Sequence, residues 1–179
     1  MSPAPTATAI RTVEGAIAFT DLSGFTEFTA LRGDEAALSL LSTYERQLRQ
    51  EVGRRGRIVK TLGDGFMLWF DSACDAVECS LSLQDTLEEM TFEDEFPLWV
   101  RIGVHYGRPI AHGRDFVGHD VNVAARIVDL AAPGEVLVSQ ACTDVMNRTL
   151  EGVSFEEVGP VVMKGIPEAI TLFRAVRAL

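Results

Sequence analysis

Two strand-like runs, Arg57 to Leu62 and Phe66 to Phe70, are separated only by Gly63-Asp64-Gly65, and a long amphipathic pattern lies on either side of them. The tripeptide is a tight-turn signal, so the two runs read as a hairpin. Upstream, Leu38, Leu41, Tyr44, Leu48 and Val52 recur at helical spacing. They predict a helix from Asp34 to about Val52, capped by Asp34 and ended by Gly53 and Gly56. Downstream, Ser72 to about Met90 reads as a second helix, with Ala73, Ala76, Val77, Leu81 and Leu87 on one side. A strand ending at Phe19 precedes the first helix, and Leu98 to Tyr106 follows the second. The order strand–helix–strand–strand–helix–strand predicts an α+β fold, a ferredoxin-like split βαβ sandwich with an antiparallel central sheet and helices on one face.

The rest reads as a C-terminal extension. Arg108 to His112 is expected to pair with the preceding strand across Gly107. Asp120 to Ala131 reads as a helix stopped by Pro133-Gly134, Glu135 to Ser139 as a strand, and Ser139 or Gln140 to Arg148 as a helix. Phe155 to Val158 and Ile170 to Val176 read as strands flanking the Lys164-Gly165 turn. One domain over 13–179 is expected, after a loose tail over 1–12 that has no hydrophobic signal core.

Composition narrows the function. A chain of 179 residues with 47% hydrophobic content can bury a sizeable core. Its net charge of −10 leaves no basic footprint for a nucleic acid. An anionic small substrate would need local compensation from metal ions or a few focused Arg and Lys. Cys74, Cys79 and Cys142 lack zinc-like spacing, and an odd number with no signal peptide points to reduced thiols and a cytoplasmic location. No apolar run approaches the ~20 residues of a membrane span.

Residues 16–26 carry the first chemical signal. The apolar run Ala16 to Phe19 ends in Thr20-Asp21, and a helix-like pattern follows. A carboxylate then stands beside free N–H groups at a helix N-terminus. The N–H groups suit a phosphate and the carboxylate suits a hard cation such as Mg²⁺; a plain helix cap fits equally. Asp64 is either an ordinary turn residue or a second carboxylate, since a split βαβ fold lets the end of strand one meet the hairpin tip. Two metal ions ~3.5–4 Å apart would then let an acidic protein accept a polyphosphate. Lys60, in an apolar strand, either snorkels or donates to a ligand. Asn122 and Arg126, four residues apart, share the polar face of a helix whose other face carries Val121, Ala124, Ala125 and Val128. They can bind a ribose oxygen and a phosphate together, or Arg126 can simply pair with Asp129.

Four segments carry a family resemblance. These are Phe19-Thr-Asp21-Leu-Ser-Gly-Phe25, Val59-Lys60-Thr-Leu-Gly-Asp64-Gly-Phe-Met67, Asp115 through Asn122 to Arg126, and Met163-Lys164-Gly165. Together they make the chain resemble the catalytic domain of the class III nucleotidyl cyclases over about Glu14 to Val176. The resemblance implies that Asp21 and Asp64 ligate two Mg²⁺ or Mn²⁺ ions, with the carbonyl of Leu22 assisting. Backbone N–H groups from Leu22 to Thr26, including Phe25 and Thr26, would cradle the triphosphate. Lys60 and Asp115 would read the base, a pair that fits adenine. Asn122 would orient the ribose, Arg126 would stabilise the transition state, and Lys164 would contact the terminal phosphates.

The implied reaction is conversion of ATP to 3′,5′-cyclic AMP and pyrophosphate, in sites shared across a homodimer. A guanylate cyclase and a catalytically silent nucleotide-binding or dimerisation module are the alternatives. A regulatory domain or protein is a further implied partner. The segment from Pro109 to Asp115 is short beside the arm that packs on the partner in many members. Outside these motifs, His105 reads as a satisfied structural histidine and Asp120 as a helix N-cap. Phe19, Phe66, Phe70 and Trp99 read as strand core, and Cys74 and Cys79 as packing residues.

Overall fold

The computed structural model describes residues 10–93 and 96–178. A short strand β1 (Arg11–Thr12) leads to β2 (Gly15–Ser23), α1 (Phe25–Arg32) and α2 (Asp34–Val52). The hairpin follows as β3 (Gly56–Leu62) and β4 (Gly65–Phe70), then α3 (Ala73–Phe92) and β5 (Trp99–Gly107). β6 (Ile110–His112), β7 (Asp115–Val117), α4 (His119–Leu130), β8 (Val136–Ser139), α5 (Gln140–Asp144), β9 (Val153–Val161) and β10 (Ile170–Arg177) complete the chain.

The main sheet has seven strands in the order β3-β4-β2-β5-β8-β10-β9. Its first four strands reproduce the split βαβ arrangement, with β2 between β4 and β5. One pair, β5 with β8, is parallel, so the sheet is mixed. Parallel neighbours need a crossover, and α4 supplies it.

Side-chain alternation divides the core. On one face Ala16, Ala18, Phe66, Leu68 and Phe70 pack with Leu40, Tyr44 and Leu48 of α2 and with Val77 and Leu87 of α3. On the other, Ile17, Phe19, Met67 and Trp69 pack with Ala124 and Val128 of α4. Val123 and Ile127 of α4 continue that layer against Leu137 and Leu172. Full burial of one such aliphatic side chain contributes roughly 1.5–3 kcal/mol. Helices therefore cover both faces, not one, because α4 must cross from β5 to β8 on the side that α2 and α3 leave free.

Several local expectations change. Ile110–His112 pairs with β1 and β7 in a separate three-stranded sheet, not with β5. Arg11 and Thr12 thus belong to a strand and Ile10 before them is exposed, while residues 1–9 of the expected tail lie outside the described residues, as do residues 94 and 95 of the expected acidic loop. α5 ends at Asp144, short of Arg148. Leu38 points outward and Leu40 takes its place in the α2 core, and Trp99 is 39% exposed at its strand's start. Asp34 is the first residue of α2 after Gly33, and its side chain caps nothing.

Candidate active site

Asp21 and Asp64 meet at one end of the sheet. β2 carries Asp21 to its exit, and the two-residue loop Gly63–Asp64 joins β3 to β4 beside it, with Gly63 at φ 62°. The contact is close because Gly65 has no side chain: a Cβ there would lie 2.1 Å from the Thr20 carbonyl oxygen. Beneath the pair, the buried Tyr44 hydroxyl donates to Thr20 Oγ1 at 2.5 Å, and that oxygen accepts the Phe66 N–H at 3.2 Å. One hydroxyl thereby ties the residue before Asp21 to the strand after Asp64. Burial, and next the Asp21 carboxylate, raise the Asp64 carboxyl above its ordinary value. Burial likewise pushes the Tyr44 phenol up.

Arg101 stands directly across from Asp21 on β5, and its guanidinium pairs with the Asp21 carboxylate. Its Nε is buried without a partner. Sequence reasoning missed this residue. The signal was present: a cation inside the apolar run Leu98 to Tyr106 is as costly as Lys60 in its own strand.

The carboxylates suit a hard divalent cation. Two repelling carboxyl groups, one raised by the other, already recruit a guanidinium. Among the described residues no group of three or more His, Cys, Asp and Glu side chains forms a complete cage. Two carboxylates plus oxygens from a polyphosphate and water is the usual arrangement for Mg²⁺. Leu22 is buried within β2. Phe25 and Thr26 open α1 after Gly24, so their N–H groups precede the first intrahelical donor, the Phe28 N–H that bonds the Gly24 carbonyl.

Lys60 and Asp115 form a second cluster. Lys60 Nζ donates to Asp115 Oδ2 at 2.7 Å. Their meeting depends on a β-bulge: Ile58 faces Leu68, but Lys60, not Val59, faces Met67. The extra residue puts Lys60 on the α4 side of the sheet. Arg57 holds the other partner in place, donating to the Arg114 carbonyl and lying over the Phe116 ring. Burial opposes ionisation of Asp115, but the hydrogen bonds from Lys60 and the Phe116 N–H outweigh it and lower the carboxyl.

Asn122 and Arg126 are exposed one turn apart on α4. Arg126 pairs with Asp129 at 3.4 Å, an exposed contact worth ~0–1 kcal/mol and easily given up. Asp120 is not the N-cap. Gly118 occupies that place, and the Asp120 carboxylate turns inward to His105 and the Arg108 N–H. Those contacts, His105 first, lower its carboxyl. Lys164 is exposed in the turn between β9 and β10, and its neighbours Met163 and Ile166 pack on α4.

Among the described residues no hydrogen bond or ion pair joins Asp21 or Asp64 to Asn122 or Arg126, and the ion pair that Arg126 makes is with Asp129. Asp21 lies opposite Arg101, whereas α4 begins against Gly107. From there α4 runs back along β5 and lays Val128 over Gly103, two residues from Arg101.

A mixed sheet with a strand-exit carboxylate, a hairpin-tip carboxylate and a crossover helix bearing Asn and Arg defines a nucleotidyl cyclase fold. The family profile described as the adenylate and guanylate cyclase catalytic domain matches residues 8–174, and the chain belongs to that family. An adenylate cyclase of Streptomyces coelicolor is 33% identical over 79% of this chain and 36% of its own length. A pH-sensitive adenylate cyclase of Mycobacterium tuberculosis is 29% identical over 90% of this chain and 40% of its own. This chain thus spans well under half the length of these relatives. The crystal structure of the adenylyl cyclase CyaB from P. aeruginosa superimposes with a TM-score of 0.83 at 21% identity, covering 96% of this chain and 98% of that one. An adenylate/guanylate cyclase/hydrolase from Silicibacter pomeroyi gives 0.82 at 26% identity, covering 94% and 99%.

Proposed function

We propose that this domain is an adenylate cyclase that converts ATP to 3′,5′-cyclic AMP and pyrophosphate in two equivalent sites of a homodimer. The observation that carries the substrate is the Lys60–Asp115 pair. An ammonium beside a carboxylate offers a donor for adenine N1 and an acceptor for the 6-amino group; guanine presents the reverse pattern. The exposure of Asn122 and Arg126, with Arg126 held only by a weak contact to Asp129, supports a shared site, with Asp21 and Asp64 from one subunit and the helix residues from the other.

In this reading Asp21 and Asp64 hold two Mg²⁺ or Mn²⁺ ions with the Leu22 carbonyl. The ions supply charge neutralisation of the triphosphate and a lowered pKa for the ribose 3′-hydroxyl. The N–H groups of Phe25 and Thr26 bind phosphate oxygens at the start of α1. Arg101, released from Asp21, is left beside the same phosphates. From the partner, Lys60 and Asp115 orient the base and Asn122 the ribose. Arg126 stands by the charge that develops at the α-phosphorus, and Lys164 contacts the terminal phosphates. The substrate's own 3′-oxygen attacks, so no protein nucleophile is needed.

A cytoplasmic setting belongs to the same proposal. It supplies ATP and suits Cys74, Cys79 and Cys142, which are all free and buried. No helix among the described residues is long and apolar enough to cross a membrane. Control by a regulatory domain or protein is also proposed, since the matched region occupies a minor part of the relatives' length. The test is to incubate purified protein at high concentration with ATP or GTP and Mn²⁺. Cyclic AMP should form from ATP at least about 10-fold faster than cyclic GMP from GTP. No cyclic product from either nucleotide overturns the reading.

A further inference from the structure

His105 is a buried titratable side chain for which the proposed reaction has no use. It lies on the face of β5 that α4 covers, and the alternation of the strand puts Gly103 and Gly107 on the same face. Neither glycine has room for a side chain. A Cβ on Gly103 would be 2.4 Å from the Val128 nitrogen, and one on Gly107 would be 2.3 Å from the Asp120 carboxyl carbon. The helix therefore rests directly on the strand backbone, and His105 alone reaches up between the two glycines.

Its partners form a closed set. Nε2 meets Asp120 Oδ1 at 3.0 Å, and Nδ1 meets Ser139 Oγ at 2.8 Å. The other Asp120 oxygen accepts the Arg108 N–H at 2.7 Å. An ionised carboxylate only accepts, so Nε2 carries the hydrogen in the neutral ring and Nδ1 accepts from the Ser139 hydroxyl. Three elements, β5, β8 and α4, meet in this one network. The first turn of α4 has no side-chain cap of its own.

We infer that Asp120, His105 and Ser139 are positioning residues: they lock the first turn of α4 to β5 and thereby set where Asn122 and Arg126 stand. Both of those side chains are exposed, and Arg126 has only its weak contact to Asp129, so the helix's placement sets where they stand. The inference rests on the cyclase reading for what Asn122 and Arg126 do, and the lock itself is independent of it. A displacement of about 1 Å at such a group costs on the order of 10²-fold in rate.

The test is Asp120→Ala, alone and with Arg126→Ala, read by steady-state kinetics and by hydrogen exchange of the α4 amides. We expect kcat to fall about 30-fold with KM for ATP within about threefold, and less than about threefold further loss in the Arg126→Ala background. Protection of the Val123 to Ile127 amides should drop about 10-fold. Asp120→Asn should recover most of the rate, because its amide can donate to the other histidine tautomer. Equal losses in the two backgrounds, or unchanged kcat, overturn the inference. If the wild type makes no cyclic nucleotide, the cyclase reading fails by itself. The exchange measurement then decides the lock, and unchanged protection overturns it. Should Asp120→Ala not fold, Ser139→Ala supplies the same readouts with a smaller expected shift, and no shift there counts against the lock.

Discussion

Asp21 and Asp64 stand on strand ends tied from beneath by Tyr44 and Thr20, within a core of Phe66 and Phe96 rings. Asn122 and Arg126 stand on the open side of a helix that rests on two glycines and one histidine. The first arrangement is part of the main core, so damage to it reaches stability and chemistry together. In the second, chemistry depends on where a helix is docked, and small shifts reach the reaction with little cost to the fold. The Lys60–Asp115 pair lies between these extremes, half-exposed but braced by Arg57.

The sharpest way to break this contrast is complementation. Asp21→Ala and Arg126→Ala should each lower activity by about 10²-fold or more, from opposite halves. Mixed in equal amounts, they should recover about a quarter of wild-type activity, since half the dimers are heterodimers with one intact site. No recovery, with heterodimers shown by native mass spectrometry, would place both halves in one chain's site. A smaller effect is expected from Lys60→Ala: the preference for ATP over GTP should fall by about 10-fold or more while thermal stability holds. An unchanged preference would detach the pair from base reading. Smallest is Tyr44→Phe, which removes one buried hydrogen bond worth about 1 kcal/mol and should lower Tm by ~2–4 °C. Activity should fall with it, because Thr20 loses its support. A Tm shift without an activity change would mean that the strut stabilises the sheet but does not hold the carboxylates.

Much of this was legible in the chain. The Gly63-Asp64-Gly65 turn and the Leu48–Val52 periodicity located the hairpin and α2, because turn chemistry and helical spacing are local properties. The meeting of Asp21 and Asp64 followed from strand order alone. Contacts made across the fold were hidden. Which face α4 covers depends on a crossover between β5 and β8 that no local pattern encodes. The Asp120 side chain looks like a cap until Gly107 brings the backbone of β5 beneath it. Arg101 is one cation among many until the β2–β5 register sets it against Asp21.

The bulge in β3 has a consequence for tolerated changes in length. Deleting Val59 would remove no polar group, and Ile58 opposite Leu68 and Lys60 opposite Met67 would become consecutive pairs of a regular ladder with no slip in register. What would go is the local bend and added twist of the bulge, and with them the angle at which Lys60 leaves the strand toward Asp115. Related chains should therefore accept many substitutions at position 59 and few changes in residue count between Gly56 and Leu62, so that spacing is under tighter constraint there than chemistry.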